Sequence, residues 1–169
     1  MPKTLLVSLL TALATAIVLI LVFVAKTIFV SGDFTLSCRR HVFLKKSDIR
    51  VNLIFENIGT GKHSFSSFGL LGKKGETYEP IAEMEGAPIL LSNSSEIEFK
   101  EGKAYLNIPN NVRAEVTISF RVIGQVDWDT YDEFYMVLKE KEKTRYAKFE
   151  DFWSSNTQRL HFKKVKKKH

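Results

Sequence analysis

The stretch Val112-Arg-Ala-Glu-Val-Thr-Ile-Ser-Phe-Arg-Val122 carries the clearest structural signal in this chain of 169 residues. Its apolar residues stand at every second position, and the positions between them are polar or charged. Side chains of a β-strand alternate between two faces, so one face of this segment is predicted to be buried and the other to meet solvent. The segment therefore predicts a half-buried strand.

The same alternation recurs upstream in Asp48–Asn57, which ends in the turn residues of Asn57-Ile-Gly59-Thr-Gly61. Two apolar runs, 65–71 and 76–81, flank Gly72-Lys-Lys-Gly75 and predict a hairpin. Further short strands are predicted at 34–38, 96–100, 103–108, 133–139 and 145–149, with a charged link over 140–144. Because no long 3.6-residue period follows residue 30, the pattern favours an all-β fold, an antiparallel β-sandwich of two sheets.

One part of this pattern resembles a known family. Phe55-Glu-Asn-Ile-Gly59 leads into Phe68-Gly-Leu70 and then into Gly75-Glu-Thr-Tyr-Glu-Pro80. This resembles the immunoglobulin-like, or telokin-like, domains found in exported, membrane-anchored proteins. The likeness covers roughly residues 48 to 122, and the later Glu101-Gly102 and Asn107-Ile-Pro109 match the family only in part. The resemblance implies an immunoglobulin-like sandwich that serves as an anchored accessory domain, with no shared catalytic residues.

The N-terminal segment predicts a membrane anchor. Thr4–Ala25 contains no charged residue and lies between Lys3 and Lys26. Roughly 20 apolar residues span a bilayer as a helix, whereas the apolar core of a cleaved signal peptide is shorter. We therefore expect one retained transmembrane helix within residues 1–30, a sandwich over 31–158 and a basic tail over 159–169. A cleaved signal and a buried core helix are the alternatives.

The charges that flank the apolar run do not agree on which side of the membrane the domain lies. Lys3 favours an N-terminus inside, while Lys26, Arg39, Arg40 and the lysines at 45 and 46 lean the other way. Long domains translocate largely regardless of flanking charge, so we expect a single-pass protein of the cell membrane with an extracytoplasmic domain. Asn93-Ser-Ser95 is an acceptor pattern for N-glycosylation, which would be used only after export.

The positive charge is concentrated at the C-terminus. The chain has a net charge of +6, and six basic residues follow position 158, which leaves 19 basic residues to balance 19 acidic ones. Such a tail could dock on anionic lipid, bind an acidic partner or simply solubilise the chain end. The predicted strands carry no basic face with interleaved aromatic residues, so we do not expect a nucleic-acid partner.

No sequence motif indicates catalysis. The four histidines lack metal-ligand spacing, and neither a nucleophile elbow nor a phosphate-binding loop is present, so no enzyme activity and no cofactor are expected. One acidic loop offers the hard oxygen ligands that calcium prefers and is a candidate site for that ion. Its candidate ligands are Asp127, Asp129, Asp132 and Glu133. The alternative is an ordinary solvated loop.

Cys38 is the only cysteine, which excludes an internal disulfide and suggests a small buried residue in a strand. We expect a non-enzymatic interaction domain, an accessory subunit of a membrane or envelope complex. It would contact the bilayer through its N-terminal helix and bind partner subunits or copies of itself. The alternatives are a surface-layer or filament block that assembles through strand edges, and an extracellular domain that binds a ligand or calcium.

Overall fold

The structure is a computed structural model that describes residues 15, 34–45, 48–141, 143–154 and 156–163. Apart from Thr15, the predicted membrane segment lies outside the described residues, as does the tail beyond Lys163. Within the described part of the chain, no helix is long and apolar enough to cross a membrane. Residues 1–33 and 34–169 form separate compact units, and the description below concerns the second.

The described residues of this unit form twelve strands and one short 3-10 helix at Trp128–Thr130. The first six strands are β1 (Phe34–Lys45), β2 (Asp48–Asn57), β3 (His63–Phe65), β4 (Ser67–Lys74), β5 (Thr77–Met84) and β6 (Ile89–Leu90). The last six are β7 (Glu96–Lys100), β8 (Lys103–Ile108), β9 (Val112–Val122), β10 (Glu133–Glu140), β11 (Lys143–Lys148) and β12 (Gln158–Lys163). The all-β prediction is confirmed.

The predicted sandwich is replaced by a closed barrel of eight strands. They follow the order β2-β1-β12-β11-β10-β4-β5-β9, and β9 pairs again with β2, which closes the ring. Asn57 opposes Val112 at one end of the β2–β9 ladder, and Ala82 opposes Val122 where β5 joins β9. Alternation along a strand specifies its buried face but not its neighbours, so the sequence pattern fitted both architectures.

Irregularities in the ladders accompany closure. The register of β1 against β2 shifts between Cys38 and Arg40, and that of β4 against β5 shifts between Leu70 and Leu71. Such bulges bend a strand and increase its twist, which a sheet needs in order to curl onto itself. The short strand β6 adds to β9 beside β5, with Ile89 opposite Thr117.

The barrel interior is filled by the faces that the sequence predicted. Ile49, Val51, Leu53 and Phe55 of β2 are buried, as are the matching residues of β9 from Ala114 to Phe120. An eight-stranded barrel is just wide enough for side chains to fill it, so this interior is a packed core. Cys38 lies in that core with 1% of its surface exposed, as predicted.

A separate three-stranded sheet, β3-β8-β7, supplies further core residues. Its buried side chains Phe65, Leu106 and Ile108 have no exposed surface. Phe65 packs against Phe34 and Phe55, with ring centroids 5.3 and 5.6 Å apart. The small sheet thus covers the end of the barrel at which β1 begins.

The barrel has two ends, the Phe34 end and the Trp153 end. At the Phe34 end, β1 begins, β2 and β10 end, β11 begins and β12 ends. At the Trp153 end lie the β4–β5 turn at Gly75, the 3-10 helix and the segment between β11 and β12. The predicted boundary between the sandwich and the basic tail, at residue 159, falls inside β12. This strand runs back to the Phe34 end, where Lys163 is paired with Tyr146 of β11.

Candidate functional site

A polar cleft of about 630 Å³ opens at the Phe34 end of the barrel. It lies between the small sheet and the strand ends of β10 and β11, and we refer to it as the basic cleft. Its lining residues are Lys62, His63, Ser64, Glu98, Lys100, Asn107, Glu140, Lys141, Lys143 and Arg145. Five lysine and arginine side chains face two carboxylates there, a net charge of +3 with His63 neutral.

The closed topology brings these residues together from distant parts of the sequence. Glu140 and Lys143 oppose each other at the start of the β10–β11 ladder, and His63 opposes Ile108 in the small sheet. Nδ1 of His63 lies 2.7 Å from Oε1 of Glu140, across 77 positions of sequence. The cleft therefore depends on how the small sheet sits against β10.

Glu140 is the best-connected carboxylate in the cleft. Besides His63, it accepts hydrogen bonds from Nε of Arg145 at 3.1 Å and from Nη2 of the same guanidinium at 3.0 Å. Burial raises the pKa of the Glu140 carboxyl, but the hydrogen bond and charge of His63, together with Arg145, outweigh burial and lower the pKa overall. The group is thus held as an anion that binds both His63 and Arg145.

Aromatic rings pack against His63 and Arg145, the two residues that bind Glu140. The ring of Phe34 lies 4.8 Å from that of His63, centroid to centroid, and the Arg145 guanidinium stands 5.7 Å from the Phe34 ring. Phe162 of β12 lies 5.8 Å from Phe34 and 6.0 Å from the same guanidinium. Cation–π contact with two rings restricts Arg145, so the floor of the cleft is preorganised.

A second hydrogen-bonded chain lines the opposite wall. Oγ of Ser64 donates to Oδ1 of Asn107 at 2.7 Å, and Nδ2 of Asn107 donates to Glu98 at 3.2 Å. Glu98 pairs in turn with Lys100 at 2.8 Å. The hydrogen bonds from Lys100 and Asn107 lower the pKa of Glu98, and Glu98 raises the pKa of Lys100.

These contacts define what the cleft can do chemically. Ser64 neighbours His63 in the chain, yet its hydroxyl donates to Asn107, and His63 binds Glu140. The two do not form the nucleophile–base pair of a hydrolase. By contrast, no carboxylate of the described residues pairs with Lys141 or Lys143, which leaves their charge available. The arrangement is suited to holding an anion.

The candidate calcium ligands lie at the opposite, Trp153 end, and two of them, Asp132 and Glu133, are bound by other groups. Oδ2 of Asp132 accepts a hydrogen bond of 2.8 Å from the backbone N–H of Gly75. Glu133 is bound by Lys148 and by the hydroxyl of Tyr135, and Lys73 lies 3.6 Å away. Both oxygens of Glu133 and one oxygen of Asp132 are therefore already bound by protein groups.

The other two candidates take part in the short helix. Asp127 precedes Trp128–Thr130, and its backbone carbonyl accepts from the Thr130 hydroxyl at 2.7 Å, while Asp129 lies within the helix. Across the described residues, no group of three or more histidine, cysteine, aspartate or glutamate side chains is placed to share a metal ion. The structure thus does not gather the four carboxylates around one point.

Glu133 instead belongs to a charged network on the outside of the barrel. The hydrogen bonds from Lys148 and Tyr135 lower the pKa of Glu133 to about 2, against the opposing effect of burial. Burial and the hydrogen bond to Glu133 raise the pKa of the Tyr135 hydroxyl. Tyr78 packs edge-on against Tyr135 with centroids 5.5 Å apart. This network ties β4, β5, β10 and β11 together.

Sequence reasoning located the basic charge in the C-terminal tail and missed the basic cleft. The segment Glu140-Lys-Glu-Lys-Thr144 was interpreted only as a charged link. Three of its residues line the cleft, namely Glu140, Lys141 and Lys143. Lys62 and Lys100, more than 30 positions apart, meet them only through the pairing of the strands. The density of lysine at 141–143 was the one local signal.

No protein-family model matches the chain, and no match is found among curated proteins. Among solved structures, the chain is similar to the crystal structure of a GH20 exo-β-N-acetylglucosaminidase from Vibrio harveyi in complex with N-acetylglucosamine. The sequence identity is 14% and the TM-score 0.22, over 69% of this chain. The matched region spans only 17% of that enzyme, and a likeness at this level carries no functional argument.

Proposed function

We propose that this protein is a non-enzymatic, membrane-tethered extracytoplasmic domain that holds a partner protein, as an accessory subunit of a membrane or envelope complex. The observation that carries the proposal is the contrast between the two ends of the barrel. The chain enters at Phe34, directly after the segment with the apolar run, whereas aromatic loops occupy the opposite end. The resemblance to anchored immunoglobulin-like domains is consistent with this role and stays a prediction.

A short connection supports a tethered arrangement. Eight residues, 26–33, separate the apolar run from β1. Fully extended, they reach at most about 28 Å, since a residue spans no more than 3.3–3.6 Å. If the run crosses the bilayer, the Phe34 end therefore stays close to the membrane surface, and the Trp153 end is the part available to a partner.

The Trp153 end offers the side chains that protein interfaces favour. Trp153 is 53% exposed, and its ring meets Phe152 and Trp128 edge-on, with centroids 5.2 and 5.8 Å apart. Ile123 in the loop after β9 is 44% exposed. Tryptophan held rigidly by other rings is enriched among the residues that dominate binding energy. This end is the proposed partner face.

Closure of the barrel weakens the alternative of a filament joined through strand edges. Each of the eight barrel strands pairs on both sides over part of its length, and among the described residues β7 of the small sheet pairs on one side only. That strand has five residues and carries Glu96, Glu98 and Lys100. Short, charged edges oppose the addition of a neighbour's strand.

Extraction of the full chain in mild detergent, followed by sizing and photo-crosslinking, tests the proposal. The expected result is a hetero-complex of fixed stoichiometry whose cross-links map to Trp153 and Ile123. Trp153→Ala should weaken it at least tenfold, in the range of interface hot spots. Phe99→Ala, at an aromatic residue of the other end that is 71% exposed, should not. A monomer, or an open-ended homopolymer, would contradict the proposal.

The orientation is tested separately through the natural acceptor at Asn93. Asn93 is exposed in the turn before β7, where a glycosyltransferase can reach it. Translation of the full chain in the presence of microsomes should produce a glycosylated form that Asn93→Gln removes. Absence of the modification on inserted chain would place the domain on the other side of the membrane.

A further inference from the structure

The basic cleft lies at the end of the barrel opposite to the proposed partner face, and the proposed function does not use it. The start of β1 and the end of β12 both lie beside it. Phe34, at the start of β1, contacts His63, and Lys163, at the end of β12, opposes Tyr146 next to Arg145. The apolar run and the lysine-rich residues 164–169 are therefore both joined to the domain at this end.

We propose that the basic cleft docks the domain on the anionic phospholipid headgroups of the membrane in which the chain is anchored. This inference rests on the proposed membrane tether, but not on the existence of a partner protein. The occupant is specified by charge complementarity and by covalent reach. Only eight residues, 26–33, join the predicted bilayer edge to β1, which begins at the end of the barrel that carries a net charge of +3.

Lysines in the cleft are placed to meet headgroup phosphates. Lys62, Lys100, Lys141 and Lys143 are all exposed at the cleft mouth. Arg145 is fixed below them by Glu140 and two aromatic rings and presents the remainder of its guanidinium to the cleft. Each lysine near an anionic surface strengthens its attraction by roughly fivefold, so several acting together outweigh thermal reorientation.

Apolar side chains accompany the charges. Phe162 is 37% exposed beside Arg145 at the floor of the cleft. Phe99 of β7 is 71% exposed, but it lies on the face of the strand opposite to Glu98 and Lys100. A mixture of aromatic and basic side chains is typical of surfaces that lie in the headgroup region of a bilayer. The lysines of the cleft would thus contact phosphates while Phe162 meets the boundary of the acyl chains.

Lysine acetylation footprinting of the full chain in nanodiscs tests this inference. One set of nanodiscs contains phosphatidylcholine only, and the other also contains about one-third phosphatidylglycerol. In the anionic nanodiscs, we expect roughly fivefold slower acetylation of Lys62, Lys100, Lys141 and Lys143. Lys74, exposed near the β4–β5 turn at the Trp153 end, should react equally in both. About 0.5 M salt should abolish the protection, because screening then acts within a few ångströms.

A pair of charge reversals provides matched variants. Lys143→Glu should remove most of the protection from the other cleft lysines, whereas Lys74→Glu, the same charge change at the opposite end, should leave it intact. Equal acetylation in neutral and anionic nanodiscs would overturn the inference. So would protection by inorganic phosphate in neutral nanodiscs at matched ionic strength, because the cleft would then bind a free anion.

The experiments that test the proposed function are independent of the lipid comparison that tests this inference. The partner complex and the modification of Asn93 are measured without comparing lipids of different charge. Either result can therefore be negative while the docking result is positive. If the full chain does not insert, flotation with vesicles of the same two compositions replaces the nanodiscs, with the same lysines compared. Binding that is equal for both vesicle compositions would overturn the inference there as well.

Discussion

Nδ1 of His63 in the small sheet lies 2.7 Å from Oε1 of Glu140 at the end of β10, and this contact joins two separate sheets at the floor of the basic cleft. Their side chains are only 12% and 15% exposed. Exposed ion pairs contribute little because water and salt screen them, whereas partly buried ones are screened much less. The pair is therefore expected to contribute to stability as well as to the shape of the cleft.

Replacing Glu140 by glutamine should destabilise the full chain by about 2 kcal/mol at neutral pH, since hydrogen bonds to charged groups contribute 1.5–3 kcal/mol. Urea unfolding in mild detergent measures this free energy. The matched control is Glu150→Gln, because Glu150 binds His161 at the same 2.7 Å with both side chains more than half exposed. That change should cost less than about 0.5 kcal/mol.

The pH dependence of the Glu140 effect has a defined sign. The folded-state pKa of Glu140 is lowered, so its contribution is complete above the ordinary pKa of 4.5 and is lost as pH falls through the folded value. The difference between the wild type and Glu140→Gln should thus shrink in acid. A difference that grows below pH 4.5 would contradict the assignment.

Glu133 should keep its stabilising effect to lower pH than an ordinary carboxylate does. Its pKa of about 2 lies below the ordinary 4.5, so its contribution is complete above pH 4.5 and disappears as pH falls toward 2. Glu133→Gln should lower Tm at pH 7 and leave it unchanged near pH 2. Thermal unfolding of both proteins between these pH values checks this. An effect independent of pH would indicate that the carboxylate charge is irrelevant.

Gly72 should not tolerate alanine, because a Cβ at this position would lie 2.4–2.7 Å from the ring atoms of Tyr131. Displacing that ring also strains its 2.9 Å hydrogen bond to Glu79. We expect Gly72→Ala to cost about 1–3 kcal/mol, the usual cost of overpacking. Chemical unfolding of the full chain in mild detergent measures this cost.

Two further variants isolate the clash. At Gly69, also in β4, a Cβ would meet only Ala82 O at 3.4 Å and Val137 at 3.9 Å, so Gly69→Ala should be neutral or slightly stabilising. Tyr131→Ala should cancel most of the cost of Gly72→Ala in the double variant. Strict additivity would show that the ring is not the cause.

Asn57 should be intolerant of aspartate. Its side chain is 1% exposed, and its amide donates to the carbonyls of Gly61 at 2.6 Å and Pro109 at 2.9 Å. Aspartate would place a charge against these oxygens and is expected to cost more than about 3 kcal/mol, as an uncompensated buried charge does. Asn111→Asp, at an exposed turn position with φ of 55°, is the control. A loss below 1 kcal/mol in urea unfolding at pH 7 would contradict this prediction.

Much of the secondary structure was predictable because alternation is a local property. β2 and β9 have the bounds that their sequences predicted, and the hairpin around Gly75 is present as β4 and β5. β3, β6 and β12 were not anticipated. Two of these have only two or three residues, and the third begins at the predicted domain boundary, where lysine-rich sequence concealed the buried Leu160.

The candidate site was less predictable, since a cleft is built by tertiary neighbours. The acidic loop was predicted as a calcium site because its carboxylates are close in sequence. In the structure, Asp132 and Glu133 bind different groups. The cleft residues His63, Asn107 and Glu140 are scattered, and nothing local relates them. The Thr4–Ala25 anchor, the partner subunit and the extracytoplasmic location stay predictions.

The sequence by itself determined which residues of each long strand are buried, because a period of two directs alternate side chains to opposite faces regardless of the neighbours. Only the tertiary structure decided that β9 returns to β2, since backbone hydrogen bonding between strands is indifferent to side-chain identity and many pairings satisfy the same pattern. That choice closed the barrel. It also brought the start of β1, the end of β12 and the basic cleft to one end of the barrel, and the aromatic loops to the other.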